Sequence, residues 1–167
     1  MPDLSSAPVP PLQADDHVRG ADTARLIIEY ADFECHYCAV TNVRLAPLDV
    51  RCVFRHFPVR SKHPRAWACA CAAEAAGRQG RFWELHDALY ADQGHIEDPH
   101  LWELARRLGL DIDRFDEDRR SGEVAARVRR DFEAGVRAGV VATPTLFVDG
   151  EAHAGPPDAS LLERIAG

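Results

Sequence analysis

The tetrad Cys35-His36-Tyr37-Cys38 constrains this chain more than any other feature. It follows an apolar stretch, Leu26 to Tyr30, and opens a segment that reads as a helix from Cys35 to about Leu45, stopped near Pro47. Two thiols in the first turn of a helix can close into a disulfide. The helix N-terminus favours the thiolate that attacks other disulfides. Reversible thiol–disulfide exchange is the leading reading of the residues themselves.

The surrounding pattern asks for an α/β fold. Arg25 to Asp32 reads as a buried strand, the cysteine-bearing helix follows, and a second strand runs from about Val50 to Phe57. That order implies a right-handed parallel crossover. From Pro64 the spacing becomes helical: Ala66 to Gly77, Arg81 to about Ala91, Pro99 to Gly109 and Glu123 to about Ala138, with a short helix around Phe115. Phe82, Leu85 and Leu89 form one apolar stripe, joined by Trp83 and His86; Trp102, Leu104, Ala105 and Leu108 form another. Stripes of this kind belong to a core. Thr145 to Val148 is a strand, Asp149-Gly150 a hairpin turn into Glu151 to Ala154, and Asp158 caps a last helix to Ala166.

Composition narrows the function. The 167 residues carry a formal net charge of -7, which argues against a nucleic-acid backbone as partner. The N-terminal stretch to Gly20 is rich in proline and lacks the basic and apolar regions of a signal peptide. No apolar run is long enough to span a bilayer. The chain as given is expected in the cytoplasm, or in the periplasm or cell envelope if a leader or fused membrane segment has been removed.

Five cysteines do not suggest the disulfide framework of a small secreted domain. Cys52 lies in a strand-like alternation and reads as a small core residue. Cys69 and Cys71, two apart on a helix, point to nearly opposite sides and do not pair readily with each other.

Three features together resemble the thioredoxin superfamily, specifically its DsbA branch of bacterial thiol–disulfide oxidoreductases. They are Asp32-Phe33-Glu34-Cys35-His36-Tyr37-Cys38 after the first strand, the helical block between the two halves, and Val141-Ala142-Thr143-Pro144-Thr145 before the hairpin. Phe54-Arg55-His56-Phe57-Pro58 and Glu74-Ala75-Ala76 are also similar to thioredoxin-type domains that some bacteria fuse to membrane antiporters. The resemblance implies a thioredoxin fold, with β-α-β and β-β-α halves around a central mixed sheet and an inserted all-helical domain. The expected boundaries are a flexible arm over 1–20, the thioredoxin-fold domain over 21–60 and 139–167, and the helical insertion over 61–138.

The resemblance also assigns roles. Cys35 becomes the exposed nucleophile and Cys38 the resolving thiol. Thr143 and Pro144 form a cis-proline loop facing the pair, and with Tyr37 they bind substrate. The family's frequent proline after the first cysteine is replaced by His36, which either lowers the Cys35 pKa or points to solvent. Glu29 is the one charge in Leu26-Ile27-Ile28-Glu29-Tyr30, and it stands where the family places a buried acid. It is expected to exchange a proton with Cys38. Glu34 is expected in solvent beside the motif.

The expected partners are protein or peptide thiols and disulfides together with a redox recycling protein, with no cofactor beyond the Cys35/Cys38 disulfide. Dithiol oxidation or isomerisation is the expected direction. A cytoplasmic reductase and a redox-regulated interaction domain are the alternatives. A zinc module built on Cys35 and Cys38 with Cys69, Cys71 or a histidine is disfavoured, because structural zinc sites present two well-spaced ligand pairs; no metal is expected.

Overall fold

The computed structural model describes residues 7–167. Its centre is a five-stranded sheet built from β1 (His17–Arg19), β2 (Arg25–Ala31), β3 (Val50–His56), β4 (Thr145–Val148) and β5 (Glu151–Ala154), in the spatial order β1-β3-β2-β4-β5. Only β2 and β3 run parallel; the other neighbours are antiparallel. The crossover between the parallel pair carries α1 (His36–Leu45). Between β3 and β4 the chain forms α2 (Ala66–Gly77), α3 (Phe82–Ala91), α4 (Asp98–Arg107), α5 (Ile112–Arg119) and α6 (Gly122–Arg137); α7 (Ala159–Ala166) ends it. The fold is therefore the α/β thioredoxin fold with an inserted helical block.

The central strand β2 sorts its side chains by parity. Ile28 and Tyr30 join Val53, Phe57 and Phe147 in one cluster, while Ile27 joins Leu45, Val50, Leu146 and Ile165 in another. Ala31 shares the second face with Ile27 and packs in the cluster that holds Cys35 and Cys38. Glu29 lies between Ile27 and Ala31 on that face, under the cysteine helix.

Helix α6 reaches the opposite side of the sheet through Gly135. A Cβ there would meet the rings of Phe57 and Tyr30 at 2.8 Å, so glycine is what permits the close approach. Three helices start as their sequences demand: Asp111, Ser121 and Asp158 each accept a hydrogen bond from the backbone N–H three residues on. The Asp149-Gly150 turn has φ of 51° and 82°, the left-handed pair that suits a tight hairpin.

The alanine-rich α2 is buried along most of its length, and Cys69 and Cys71 fall in different clusters, as their spacing predicts. Two expectations are corrected. In α4 the buried residues are Leu101, Leu104 and Ala105, while Trp102 is 37% exposed and donates its Nε1–H to Asp116. The core face follows the i, i+3, i+4 positions from Leu101, and Trp102 sits one position off it. The second concerns the N-terminal arm. Residues 1–6 lie outside the described residues, but the rest of the arm is attached to the body. His17–Arg19 pairs with β3, and Arg55 donates to the carbonyls of Pro10 and Pro11 while forming a buried ion pair with Asp16 at 2.8 Å. Val9 and Leu12 pack beside Tyr30 and Phe57.

Candidate active site

The loop between β2 and α1 is held by side chains that the sequence reading did not single out. Asp32 Oδ1 accepts the Glu34 backbone N–H at 2.8 Å, and its Oδ2 takes the Val59 N–H and His63 Nδ1, both at 2.8 Å. Gln93 donates its side-chain amide to the carbonyls of Phe33 and Cys35 at 2.8 and 3.0 Å. Glu34 is not in solvent as expected: its carboxylate accepts the Arg65 backbone N–H and pairs with the Arg65 guanidinium at 3.0 Å. An acid next to an N-terminal helix turn finds these donors more favourable than water. Strand end, helical block and cysteine loop thus form one hydrogen-bonded unit. Asp32 belongs to the cysteine motif itself, whereas nothing local marks His63, Arg65 or Gln93 as partners of this loop, because they are distant in sequence.

Cys35 is the N-cap of α1 rather than its first helical residue, and both cysteines are free thiols. Cys35 is only 4% exposed, which corrects the expectation of an open nucleophile; Cys38 is fully enclosed. The two differ sharply in acidity. A hydrogen bond from Cys38 is the largest influence bringing the Cys35 thiol down to about 5, aided by the Thr143 side chain and the backbone N–H groups of Cys38 and Tyr37, against the opposing effect of burial. Both amides belong to the first helical turn, where the N–H groups point toward the helix N-terminus; that of Cys38 also reaches the Cys35 carbonyl at 3.1 Å. Burial pushes the Cys38 thiol well up, as do its hydrogen bond to Cys35 and the charges of Cys35 and Glu29. One thiol is set to be an anion and its neighbour to keep its proton.

The remaining candidates divide between the surface and the interior. His36 is exposed, its ring 5.9 Å from that of Tyr37. Tyr37, next to Cys38 in the chain, is 60% exposed, and Val141, two residues before Thr143, is 89% exposed. The Thr143–Pro144 peptide is cis, and the Cys35 sulfur lies 3.4 Å from the Thr143 carbonyl oxygen. Cys35 and Tyr37 thus stand at the start of α1 and Thr143 and Pro144 in the loop before β4, with Cys35 and Thr143 in contact. Beneath them Glu29 is 6% exposed, and its Oε1 has no hydrogen-bond partner among the described residues. Burial pushes its carboxyl up to about 8, the Arg19 charge opposing and the Cys35 charge adding to the rise.

Among the described residues, one cluster has the spacing of metal ligands: His17, His56 and Glu74. Neither Cys35 nor Cys38 belongs to it. Both imidazole Nε2 atoms lie against the same carboxylate oxygen, at 2.6 and 2.8 Å, and the Arg127 guanidinium is 4.0 Å from that oxygen. The trio reads as a hydrogen-bonded clasp between β1, β3 and α2, beside a cation that disfavours a second positive charge.

Comparison with known proteins agrees with this geometry. The chain is 44% identical over 153 residues to Na(+)/H(+) antiporter NhaA 3 of Salinispora tropica, covering 88% of this chain and 24% of that protein. It is 41% identical over 171 residues to the antiporter NhaA of Herminiimonas arsenicoxydans, covering 98% and 27%. The chain thus spans about a quarter of the length of these curated relatives. A thioredoxin-like oxidoreductase from Silicibacter pomeroyi superposes with a TM-score of 0.82 at 25% identity, covering 92% of this chain and 91% of that one. Pseudomonas aeruginosa DsbA2 gives 0.71 at 27% identity, covering 93% and 94%. BdbD from Bacillus subtilis, at 20% identity and a TM-score of 0.79 over 97% and 98%, shares the fold. The family described as Thioredoxin matches residues 13–165, nearly the whole described chain with both cysteines and the Thr143–Pro144 loop inside the match, and the chain belongs to that family.

Proposed function

We propose that this chain is a DsbA-like protein thiol–disulfide oxidoreductase working through the Cys35/Cys38 pair on protein or peptide thiols. The observation that carries the reading is the asymmetry of the two thiols, with Cys35 down to about 5 and Cys38 pushed well above the ordinary range. In the oxidising direction a substrate thiolate attacks Cys35 Sγ, the Cys35–Cys38 bond breaks, and its electron pair leaves on Cys38, which takes up a proton. A second substrate thiolate then attacks the substrate sulfur of the mixed disulfide, and Cys35 departs as a thiolate. A low pKa makes Cys35 a good leaving group, which favours disulfide donation.

Tyr37, Val141 and the Thr143–Pro144 loop supply the surface on which an extended substrate segment docks beside the sulfurs. Glu29 supplies the proton that Cys38 takes up and removes it in the reverse step. The cycle needs no cofactor besides the disulfide, and a separate redox protein reoxidises the dithiol. Similarity to parts of antiporter-named proteins supports work at or near a membrane, although no helix among the described residues is long and apolar enough to cross one.

The deciding experiment is trapping. Cys38→Ser incubated with disulfide-bonded peptides should accumulate mixed disulfides through Cys35, whereas Cys35→Ser should form none. Absence of trapped adducts with every peptide tried would reject the reading.

A further inference from the structure

Three hydrogen bonds tie the connection between β3 and α2 to the cysteine loop. Asp32 Oδ2 takes the Val59 N–H and His63 Nδ1, both at 2.8 Å, and Glu34 Oε2 takes the Arg65 N–H at 2.7 Å. Asp32 is itself one end of a turn whose other end is Cys35, since the Cys35 N–H donates to the Asp32 carbonyl at 3.1 Å. The Cα atoms at the two ends of such a turn lie within about 7 Å of each other. The segment between the Val59 and His63 anchors is therefore fastened beside the loop that carries the reactive thiol.

Arg60, Ser61 and Lys62 make up that segment, and all three are exposed. The N–H groups of Lys62 and His63 both reach the Val59 carbonyl, at 3.0 and 2.9 Å, and close it into a tight turn. The Arg60 guanidinium lies 4.8 Å over the ring of Trp67 in the first turn of α2, which holds its charge in place. Lys62 is the one lysine of the sequence. Neither cation forms an ion pair among the described residues, whereas Arg65 is engaged by Glu34 at 3.0 Å and by Glu97 at 3.3 Å. Asp98, next to Glu97 at the start of α4, is taken up by Arg119 at 2.9 Å. On a chain of formal net charge -7, two uncompensated cations on one pinned turn give the thiol loop a local field opposite in sign to the chain as a whole.

We propose that the Arg60–Lys62 turn is a specificity element that recognises acidic side chains in the polypeptide whose thiols meet Cys35. The inference rests on the reading of Cys35 and Cys38 as the exchanging pair. Charge complementarity selects the occupant: Arg60 offers a planar fork to a carboxylate and Lys62 a mobile point charge, while Tyr37 and the Thr143–Pro144 loop receive the chain at the cysteine itself. An extended segment advances about 3.3 Å per residue, so an acid two to four residues from the substrate cysteine comes within reach of a turn anchored this close. Exposed charges of this kind act on encounter and orientation more than on affinity, so the effect belongs to the rate of attack on Cys35.

The test measures how fast the oxidised protein converts two-cysteine peptides to their disulfides, becoming the dithiol, with peptides matched except that the residues flanking the cysteines are Glu, Gln or Lys. Each rate is divided by that of the same peptide with 2-hydroxyethyl disulfide, an uncharged reagent, which removes the influence of the flanking charge on the peptide thiol. Wild type should prefer the Glu peptide over the Gln peptide by about threefold to tenfold at about 0.01 M salt, and the preference should collapse at about 1 M, where the Debye length has fallen from about 30 to 3 Å. Arg60→Gln/Lys62→Gln should abolish the preference, Arg60→Lys/Lys62→Arg should keep it, and Arg60→Glu/Lys62→Glu should turn it toward the Lys peptide. Because Arg60 packs on Trp67, Lys62→Glu alone repeats the test without disturbing that contact, and it should lower the preference by about twofold to fivefold. No preference in wild type at low salt, or one that survives Arg60→Gln/Lys62→Gln, overturns the proposal. So does loss of binding to phosphatidylglycerol vesicles in that variant with its peptide preference intact, which would assign the turn to a lipid surface. Failure of every peptide to react, the Gln peptide included, would instead remove the underlying reading of the Cys35/Cys38 pair.

Discussion

The sulfur of Cys35 lies 3.4 Å from the carbonyl oxygen of Thr143, a residue 108 positions later in the chain. The contact joins the first turn of α1 to the loop before β4; in it the Cys35 thiol donates to the carbonyl, which suits the protonated thiol, whereas the Thr143 side chain favours the anion. Thr143→Val keeps the shape and removes that donor. The Cys35 pKa should rise by about half to one unit, read from the thiolate absorbance of the reduced protein, and exchange with a peptide disulfide should slow near neutral pH. An unchanged titration would show that Thr143 acts through its backbone alone.

Reactivity should divide as acidity does. In the reduced protein, alkylation at mildly acidic pH should modify Cys35 and spare Cys38, because the first is brought down to about 5 and the second is pushed up. Cys52, Cys69 and Cys71 are raised to about 12, 12 and 11 by burial and should react only after unfolding. Peptide mapping after a short alkylation pulse reads the order directly, and labelling of Cys38 before Cys35 would contradict it.

Glu29 makes the fold's stability depend on pH in a defined direction. Its folded carboxyl is raised from 4.5 to about 8, chiefly by burial, so its contribution is fully present below pH 4.5 and is lost as pH rises through 8. Glu29→Gln removes this loss. The variant should be more stable than wild type above neutrality, by about 2 to 4 kcal/mol once burial and relaxation are allowed for, and should converge with it in acid. Denaturant curves at several pH values test this. A stability gap that does not change with pH would mean Glu29 titrates as an ordinary carboxylate.

The legible part of this molecule was its local chemistry. Cysteine spacing after a buried strand, the lone Glu29 in an apolar run, the Asp149-Gly150 turn and the Asp158 cap are all carried by neighbours in sequence, and each element formed where expected. What stayed hidden depends on distant partners. Glu34 looks like a surface acid until Arg65 is folded against it, and Gln93 gives no local sign that it will hold the carbonyls of Phe33 and Cys35. The proline-rich arm reads as loose chain because its anchor, the Arg55–Asp16 pair, crosses from one strand to a segment with no periodicity of its own.

Gly135 is another such case, silent in the sequence and decisive in the packing of α6. Gly135→Ala gains about 1 kcal/mol of helix propensity, yet its new methyl meets the Phe57 and Tyr30 rings at 2.8 Å. Overpacking of this kind costs about 1 to 3 kcal/mol, so the net change should be destabilising while Cys35 titrates as in wild type. Chemical denaturation and thiolate absorbance on the same sample separate the two effects. A stabilised variant would mean that the helix shifts away from the sheet at no cost.

The acidity of Cys35 also decides which redox form is more stable. In the reduced protein its pKa is depressed from the unfolded value of 9.0 to about 5, so the stabilisation of the folded dithiol is fully present above 9.0 and is lost as pH falls through 5. Only the reduced form has this thiolate, and the disulfide form gains nothing from it. Whatever stabilises the folded dithiol over the folded disulfide makes the pair a stronger oxidant, with about 30 mV corresponding to 1.4 kcal/mol. The reduced protein should therefore resist denaturant better than the oxidised protein at neutral pH, with the advantage shrinking as the solution is acidified toward pH 5. Thr143→Val should reduce both that advantage and the redox potential of the couple. If the oxidised form is the more stable at neutral pH while Cys35 still titrates near 5, the thiolate does not govern the couple, and the preference for disulfide donation over reduction fails.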